Sequence, residues 1–277
     1  PKWNGSSLKG KKILIASEQG FGDNIQFVRY IPLIKSNGGN IILECKKELK
    51  KLFEDSFEIN KNVDEILEKN ERLRKDFDSY IHIMSLPRIF KTEIDSIPNK
   101  IPYLKADPYL IEKFKKKIEQ GINKKNLNKI KTGIVWAGNP GYENDKNRST
   151  IFEKFKILKN NPNIILFSLQ KGEASKQLND SEIIDLSNEI NDFSDTAAII
   201  QNLDLIITID TSVSHLAGAL GKPVWTLLTF IPDWRWMLDR KDSPWYPTMK
   251  LFRQKKQGDW DSLMIEVSEK LKFFQKS

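Results

Sequence analysis

A glycine loop follows the first apolar run of the chain and carries residues that could do chemistry. The run Ile13–Ala16 leads into Gly20-Phe21-Gly22, and Asp23 stands directly after it. Glycines between a strand and a helix let the backbone approach a ligand closely, and the helix N-terminus offers unpaired N–H groups. The sequence leaves two interpretations of Asp23 open: N-cap of the helix, or general base that removes the proton of an acceptor hydroxyl.

A second polar group follows the apolar run Leu205–Ile209. Asp210, Thr211 and Ser212 precede a helix of small residues, and His215 lies near its start. Hydroxyls and free N–H groups at that N-terminus would hold a pyrophosphate, and the helix dipole favours the anion. His215 is either a structural histidine bonded to a neighbour or a hydrogen-bond donor to phosphate.

A third group forms a basic loop in the middle of the chain. Asn139 follows the strand pattern Thr132–Trp136, and Lys146, Arg148 and Ser149 precede the next helix pattern. Positive side chains in this place suit the neutralisation of a leaving nucleoside diphosphate. The alternative is an ordinary solvated loop.

Aromatic residues are interleaved with prolines toward the end of the chain: Trp234, Trp236, Trp245 and Tyr246. Such a stretch forms either a packed cap on a domain or the wall of a sugar or base pocket. In the second case Arg235 or Asp233 would contact hydroxyls or phosphate.

The composition of the chain excludes several classes of protein. It has 277 residues and a net charge of +8, but its lysine runs are broken by Glu, Asn and apolar residues. That pattern is typical of solvated helix faces, so a phosphate-bearing small substrate explains the charge and nucleic-acid binding is disfavoured. Apolar runs fall far short of the roughly 18 residues of a membrane span.

Cysteine and histidine usage restricts the metal and redox chemistry. Two histidines and one cysteine, Cys45, cannot build a zinc site of the usual kinds. Cys45 ends an apolar run, which favours a buried, inert thiol and a reducing, cytoplasmic compartment. Pro1–Ser7 is polar and lacks a starting Met, so we expect a piece of a longer polypeptide.

The order of strands, glycine loops and helices predicts an α/β protein with two Rossmann-like halves. A strand–glycine loop–helix series begins at Ile13, with its helix starting at Asp23, and a second series begins at Thr132. This order is the signature of parallel, doubly wound sheets. The Asn- and Lys-rich stretch Gly121–Lys131 is the expected linker, which gives predicted domains of residues 1–125 and 126–277.

Six segments resemble glycosyltransferase family nine, the ADP-heptose lipopolysaccharide heptosyltransferases and their relatives. The resemblance is closer still to the family-nine-like domain at the C-terminus of many bacterial tetratricopeptide-repeat proteins. The segments span nearly the whole chain: Glu18–Phe27, Trp136–Pro140, Asn147–Ser149, Ser168–Gly172, Asp210–Pro223 and Asp233–Trp236. The Asp-Thr-x-x-x-His-Leu element is the most specific part.

The resemblance implies a GT-B fold, in which two Rossmann-like domains face a cleft, and inversion at the anomeric carbon. It implies an acceptor-side first domain with Asp23 as catalytic base and Gly22 and Gln26 near the substrate. It also implies a last helix, Trp260–Phe274, that packs back on the first domain. Donor contacts are expected from the second half: Asn139, Arg148, Ser149, Gln170, Lys171, Asp210, Thr211, Ser212, His215 and Arg235.

We therefore predict a metal-independent inverting glycosyltransferase that needs no bound cofactor. A nucleotide-diphosphate sugar is the donor, and the acceptor is a saccharide, a lipid-linked glycan or a protein. The triplets Asp76–Asp78 and Asp259–Asp261 do not stand at a strand end where a diphosphate-bound metal is expected, so positive side chains and the helix dipole must replace the ion. Heptosyltransferases commonly have glycine where Ser212 stands, which leaves the donor sugar open.

Two other functions stay open. One is a non-catalytic GT-B binding module that serves a tetratricopeptide-repeat scaffold, with the helical repeats upstream in the full-length chain. The other is a nucleotide-sugar epimerase of GT-B type, whose additional acid and base carboxylates could be Glu143 and Glu173.

Overall fold

The computed structural model describes residues 1–57, 61–69, 71 and 76–276. The first part of the chain forms a four-stranded sheet with the strand order β3-β2-β1-β4. Its strands are β1 (Lys12–Ala16), β2 (Asn40–Cys45), β3 (Glu65–Glu68) and β4 (Ser79–His82). All three pairings are parallel, as the alternation of apolar runs and helical patterns predicts.

The described residues of this part form five helices: α1 (Phe21–Phe27), α2 (Ile31–Ser36), α3 (Lys47–Ser56), α4 (Leu86–Ile89) and α5 (Pro108–Gly121). The single helix expected from Asp23 onward is wrong in two respects. It begins at Phe21, and a 3-10 turn over Val28–Tyr30 divides it from α2.

The second part forms a six-stranded parallel sheet with the order β10-β9-β8-β5-β6-β7. Its strands are β5 (Ile130–Val135), β6 (Ile164–Ser168), β7 (Ile184–Asp185), β8 (Leu205–Ile209), β9 (Val224–Leu228) and β10 (Met249–Arg253). The sequence predicts four of them. It misses β7, which has only two residues, and β10, whose apolar residues are interrupted by Lys250.

Five further helices cover this sheet: α6 (Asp145–Arg148), α7 (Phe152–Phe155), α8 (Phe193–Gln201), α9 (Ser212–Ala219) and α10 (Trp260–Leu271). The expectation that the last helix packs on the first domain is wrong for the residues that the structure describes. The apolar face of α10, including Leu263 and Val267, belongs to a cluster with Trp225 and Phe252 of the six-stranded sheet. That cluster buries the apolar stripe of the helix completely.

The two sheets share one apolar core that runs through both parts of the molecule. It joins Ile13 and Phe27 with Ala198 and Leu216. Arg29, which is 4% exposed, donates from Nη1 to the carbonyl oxygen of Trp245 at 2.6 Å. A guanidinium of the first half is thus inserted into the second half.

The stretch before β5 also contacts the second half. The Tyr103 N–H donates to the carbonyl oxygen of Ala219 (3.0 Å), and Asn202 Nδ2 donates to the carbonyl oxygen of Ile111 in α5 (2.9 Å). A domain boundary near residue 125 remains a prediction, because α5 is tied to both parts.

Gly22 lets α1 approach α9 closely, so we expect Gly22→Ala to destabilise the fold. A Cβ at this position would lie 2.7 Å from Cδ2 of His215, whose ring is buried. Overpacking of this kind costs about 1–3 kcal/mol, and each kcal/mol lowers Tm by roughly 2–4 °C in a chain of this size. Thermal unfolding measures the shift.

Gly121→Ala is the matched control, because a Cβ there would meet Ile184 at an ordinary 3.6 Å. We expect its Tm to stay near that of the wild type. Equal melting temperatures for the two variants would contradict the close approach of α1 and α9.

Candidate active site

A cleft of about 1100 Å³ opens at the carboxyl ends of the strands of both sheets. The loop after β1 lines one wall, and the loops after β5, β6, β8 and β9 line the other. Ligands of open α/β sheets bind at this end of the strands, where the helix N-termini converge. The cleft is therefore the candidate active site.

Asp23 lies on the first-half wall with both carboxylate oxygens engaged. It occupies the third position of α1, and the N-cap is Gly20, so the interpretation of Asp23 as N-cap is wrong. The helix starts two residues earlier than the pattern suggests, and the Gly20 N–H donates back to Oδ2 of Asp23 at 2.9 Å. The other oxygen, Oδ1, accepts from Nη2 of Arg235 at 2.7 Å.

Arg235 reaches Asp23 from the opposite side of the cleft. It lies in the 3-10 turn Trp234–Trp236, and its side chain is 7% exposed. Nε donates to Oδ1 of Asp233 (2.8 Å), and Nη1 donates to Oε1 of Gln26 (2.7 Å). Burial lowers the pKa of the Arg235 guanidinium, but the charges of Asp23 and Asp233 outweigh it and raise that pKa above its ordinary value.

The N-terminus of α9 forms part of the second-half wall. Thr211 is its N-cap, but the Thr211 hydroxyl is paired with the hydroxyl of Thr208 (3.1 Å) and does not cap the helix. Thr211, Ser212 and Val213 all line the cleft. Within the described part of the chain, no side chain accepts from the first N–H groups of α9, so they are available to an anion.

His215 and Asp210 are packed behind this helix start. Nδ1 of His215 lies 2.8 Å from the Tyr246 hydroxyl, and Nε2 lies 4.0 Å from Oδ1 of Asp210. The indole N–H of Trp236 donates to Oδ2 of Asp210 at 2.8 Å. Burial, and then the nearby arginine charges, lower the pKa of His215 well below its usual value, so the ring is neutral at pH 7. Burial likewise raises the pKa of Asp210.

Arg148 is the main cation on the second-half wall. Its Nη1 donates to the carbonyl oxygen of Asp210 (3.1 Å), and Nε donates to Oδ1 of Asp145 (3.0 Å). The guanidinium lies over the ring of Tyr142, 4.4 Å from its centroid. These contacts place a positive charge beside the strand end from which α9 starts.

Comparison with known proteins gives this arrangement a family context. Residues 154–257 match the model of Glycosyltransferase family 9 (heptosyltransferase). A glycosyl transferase family 9 structure from Veillonella parvula DSM 2008 aligns with a TM-score of 0.65 and 12% identity, over 99% of this chain and 93% of that one. The ADP-heptose lps heptosyltransferase II of E. coli aligns with a TM-score of 0.63 and 14% identity, over 94% and 97%. The fold is GT-B.

A curated relative shares sequence along the whole chain. Protein FlbA of Caulobacter vibrioides is 24% identical over 99% of this chain and 48% of its own length. The chain therefore spans about half the length of this relative. The family-model match covers most of the second half.

The GT-B cleft brings together most of the predicted site residues. Those that line it are Gly22, Asp23, Asn139, Arg148, Gln170, Lys171, Asp210, Thr211, Ser212, His215 and Arg235. Gln26 and Ser149 lie outside the lining. Gln26 is fully buried beneath Arg235, and the Ser149 hydroxyl braces the loop between Gly138 and Asp145.

Several lining residues are already engaged with the backbone. Gln170 is 2% exposed, and its Oε1 accepts from the N–H groups of Trp136 and Ala137 at 2.9 Å each. Lys171 Nζ donates to the carbonyl oxygens of Ser187 (2.8 Å) and Ile190 (2.9 Å). These contacts fix the loops that form the second-half wall.

The sequence prediction missed the start of α8 as part of the cleft. Asn191, Asp192, Phe193 and Thr196 line it, and Asp192 caps the helix by accepting from the Ser194 N–H at 2.8 Å. An aspartate directly before a helical apolar pattern is the signal that could have found this N-terminus. Its position at the cleft depends on β7, which the sequence did not predict.

The aromatic stretch mostly forms a packed cap. Trp236, Trp245 and Tyr246 are buried, whereas Trp234 is 59% exposed. Of these four residues none lines the cleft, although their neighbours Asp233 and Arg235 do.

The acidic triplets have structural contacts. Oδ2 of Asp78 accepts from the Lys12 N–H (2.7 Å), and Asp259 caps α10 by accepting from the Ser262 N–H (3.0 Å). Residues 1–57, 61–69, 71 and 76–276 contain no group of three or more His, Cys, Asp or Glu side chains arranged to hold a metal ion. Nor do they contain a helix that is long and apolar enough to cross a bilayer.

The buried, neutral state of His215 predicts a stability that depends on pH. The unfolded chain takes up a proton on this histidine below pH about 6.5, whereas the folded chain does so only at much lower pH. The contribution of His215 to the free energy of unfolding is therefore present above pH 6.5 and is lost as the pH falls toward the folded-state pKa of the ring. We expect the free energy of unfolding of the wild type to fall by about 1 kcal/mol more than that of His215→Gln when the pH is lowered from 7.5 to 5.5. Urea unfolding at the two pH values measures both changes.

His82→Gln is the control for this experiment, because His82 is the other histidine and its side chain is 38% exposed. Both variants are compared with the wild type at the same two pH values. The interpretation is wrong if His215→Gln and the wild type lose the same free energy of unfolding.

Proposed function

We propose that this chain is an inverting glycosyltransferase that moves a sugar from a nucleoside-diphosphate donor to a hydroxyl acceptor without a metal ion. The observation that carries the proposal is the pairing of two features across one cleft. A fixed carboxylate, Asp23, lines one wall, and the uncapped N-terminus of α9 lines the other. Such a pair can take a proton on one side and hold a leaving diphosphate on the other.

The donor is proposed to bind the second-half wall. The N–H groups of Ser212 and Val213 and the guanidinium of Arg148 would accept the diphosphate, and the helix dipole adds to their attraction. Lys171 contributes charge from the same wall, since its ammonium is held by carbonyl oxygens at the edge of the cleft. The heptosyltransferase with a related fold is an ADP-heptose enzyme, which is consistent with a nucleoside diphosphate here.

The chemical step is a direct displacement. Asp23 takes the proton of the acceptor hydroxyl while that oxygen attacks the anomeric carbon from the side opposite the leaving group. The bond from the anomeric carbon to the diphosphate oxygen breaks, and its electrons remain on the diphosphate. The charge that develops there is stabilised by the helix N-terminus and Arg148, which makes a divalent ion unnecessary.

A non-catalytic binding module is the second candidate function. It is favoured by one observation: Asp23 Oδ1 and Oδ2 are both already hydrogen bonded within the chain. Each carboxylate oxygen has two lone pairs, so a hydroxyl proton can still be accepted. Upstream helical repeats, a cytoplasmic location and the identity of the acceptor (saccharide, lipid-linked glycan or protein) remain parts of the proposal.

Asp23→Asn separates the two functions. If Asp23 is the base, hydrolysis of sugar nucleotides from an ADP-, GDP- and UDP-sugar panel should fall about a hundred- to ten-thousand-fold. The affinity for ADP, GDP or UDP, measured by calorimetry in EDTA, should change less than threefold, because the diphosphate contacts lie on the other wall. We also expect a lower Tm, since the substitution leaves the buried Arg235 without one of its two carboxylates.

Asp107→Asn is the matched control, because the Asp107 carboxylate also accepts a backbone N–H at a helix start, that of Tyr109 at 2.8 Å, but lies outside the cleft. Its turnover should equal that of the wild type. A folded Asp23→Asn protein with near-normal turnover would exclude Asp23 as the base. Nucleotide binding without turnover in the wild type would favour the binding module, and loss of nucleotide binding in EDTA would contradict metal independence.

A further inference from the structure

We infer that Arg235 is a positioning residue that holds the carboxylate of Asp23 across the cleft, and not a ligand of the donor. This inference rests on the proposed function, because it assigns Arg235 a role through the proposed base. It replaces the expectation that Arg235 contacts the donor phosphates.

The first step concerns the orientation of Asp23. The Gly20 N–H fixes one carboxylate oxygen from within α1, at 2.9 Å. A single hydrogen bond leaves the carboxylate free to rotate about it. The bond from Nη2 of Arg235 to the other oxygen, at 2.7 Å, removes that freedom. Within the described chain these are the side-chain and backbone partners of Asp23, so its orientation depends on Arg235.

The second step concerns the rigidity of Arg235 itself. Oδ1 of Asp233 accepts from Nε, and Oε1 of Gln26 accepts from Nη1. Gln26 is fully buried, and its Nε2 is without a hydrogen-bond partner in the described structure. The Gln26 side-chain amide thus directs its oxygen toward Arg235, although its NH₂ group forms no hydrogen bond with the described residues in this orientation. All three nitrogens of the guanidinium are therefore anchored, two of them on the first half.

The third step is electrostatic. Two carboxylates, Asp23 and Asp233, contact one guanidinium, so the trio carries one net negative charge. A diphosphate placed against it would meet repulsion rather than neutralisation. Arg148, by contrast, has one carboxylate partner, Asp145, and its side chain is 22% exposed. The phosphate-binding charge is therefore assigned to Arg148, and Arg235 serves the base.

The consequence is a link between the two halves and the chemistry. Arg235 belongs to the second half, while Asp23 and Gln26 belong to α1 of the first half. The base is aligned only when the halves have the relative position seen here. A displacement of about 1 Å at a reacting group can cost on the order of a hundredfold in rate.

Arg235→Lys tests the inference, since lysine keeps the charge but carries all its donors on one nitrogen and cannot reproduce the planar fork that reaches Asp23, Gln26 and Asp233 together. We expect sugar-nucleotide hydrolysis to fall on the order of a hundredfold, while the calorimetric Kd of ADP, GDP or UDP changes less than threefold. Arg240→Lys is the matched control: Arg240 forms an ion pair with Asp242 on the surface and lies outside the cleft. Its turnover and Kd should match those of the wild type.

Combination with Asp23→Asn shows whether Arg235 acts through the base. In the Asp23→Asn background, Arg235→Lys should lower the residual turnover no further, because the group that it positions is gone. If the loss of turnover in the double variant equals the product of the losses in the two single variants, the inference is overturned. A Kd that weakens tenfold or more in Arg235→Lys would also overturn it, because that result would make Arg235 a donor ligand.

Gln26→Met keeps the inference testable if Arg235→Lys does not fold. It removes one anchor of the guanidinium and leaves the ion pair in place, so we expect a loss of turnover smaller than that of Arg235→Lys, with an unchanged Kd. Wild-type turnover in folded Gln26→Met, or in folded Arg235→Lys, would overturn the positioning role while leaving Asp23 as base. Wild-type turnover in Asp23→Asn would instead overturn the proposed function.

Discussion

The buried ion pair between Asp23 and Arg235 joins the two halves of the molecule at the edge of the cleft. Both side chains are mostly withdrawn from water, with exposures of 16% and 7%. Loss of one partner of a buried pair typically costs about 3–5 kcal/mol, because it leaves a charge without compensation. This pair forms only if three features have the right relative position. They are the start of α1, the 3-10 turn that carries Arg235 and the spacing of the two sheets.

Close packing around the ion pair allows the two halves to take this relative position. Glycines allow the close approaches, since a Cβ on Gly22 would meet the ring of His215 and a Cβ on Gly218 would meet the ring of Tyr246. Arg29 complements Arg235 in the opposite direction: it extends from the first half and lies over the ring of Tyr246, 4.6 Å from the centroid. Two arginines thus cross the boundary in opposite directions, and each forms contacts in the other half.

The packed boundary between the halves holds both walls of the cleft. One wall presents a carboxylate whose orientation is set, and the other presents a helix N-terminus with free N–H groups. Because both are held by the same packed boundary, the space between them has a defined width before any ligand enters. Preorganised groups of this kind stabilise developing charge without the cost of reorganisation.

Local sequence signals predicted the parts of this site but not their pairing. Apolar runs identified β1, β5, β8 and β9. The glycine loop after β1 and the Asp-Thr-Ser after β8 placed Asp23 and Ser212 at strand ends. The sequence analysis missed the position of Asp23 within α1. The N-cap of this helix is Gly20, which has no side chain that could indicate the helix start.

Long-range contacts lay beyond these signals. The hydrogen bond between Asp23 and Arg235 joins residues that are 212 positions apart in the sequence. The hydrophobic periods of strands and helices, 2 and 3.6 residues, carry no information about such distant partners. The direction in which α10 packs was missed for the same reason, since its apolar stripe fits any apolar surface equally well.

The most direct test of the account is a crystal structure with a nucleoside diphosphate, grown in the presence of EDTA. The account predicts diphosphate oxygens within hydrogen-bond distance of the Ser212 and Val213 N–H groups and of Arg148, with Arg235 still bound to Asp23. A diphosphate bound to Arg235, with Asp23 released, would contradict it, and so would a nucleotide bound outside the cleft.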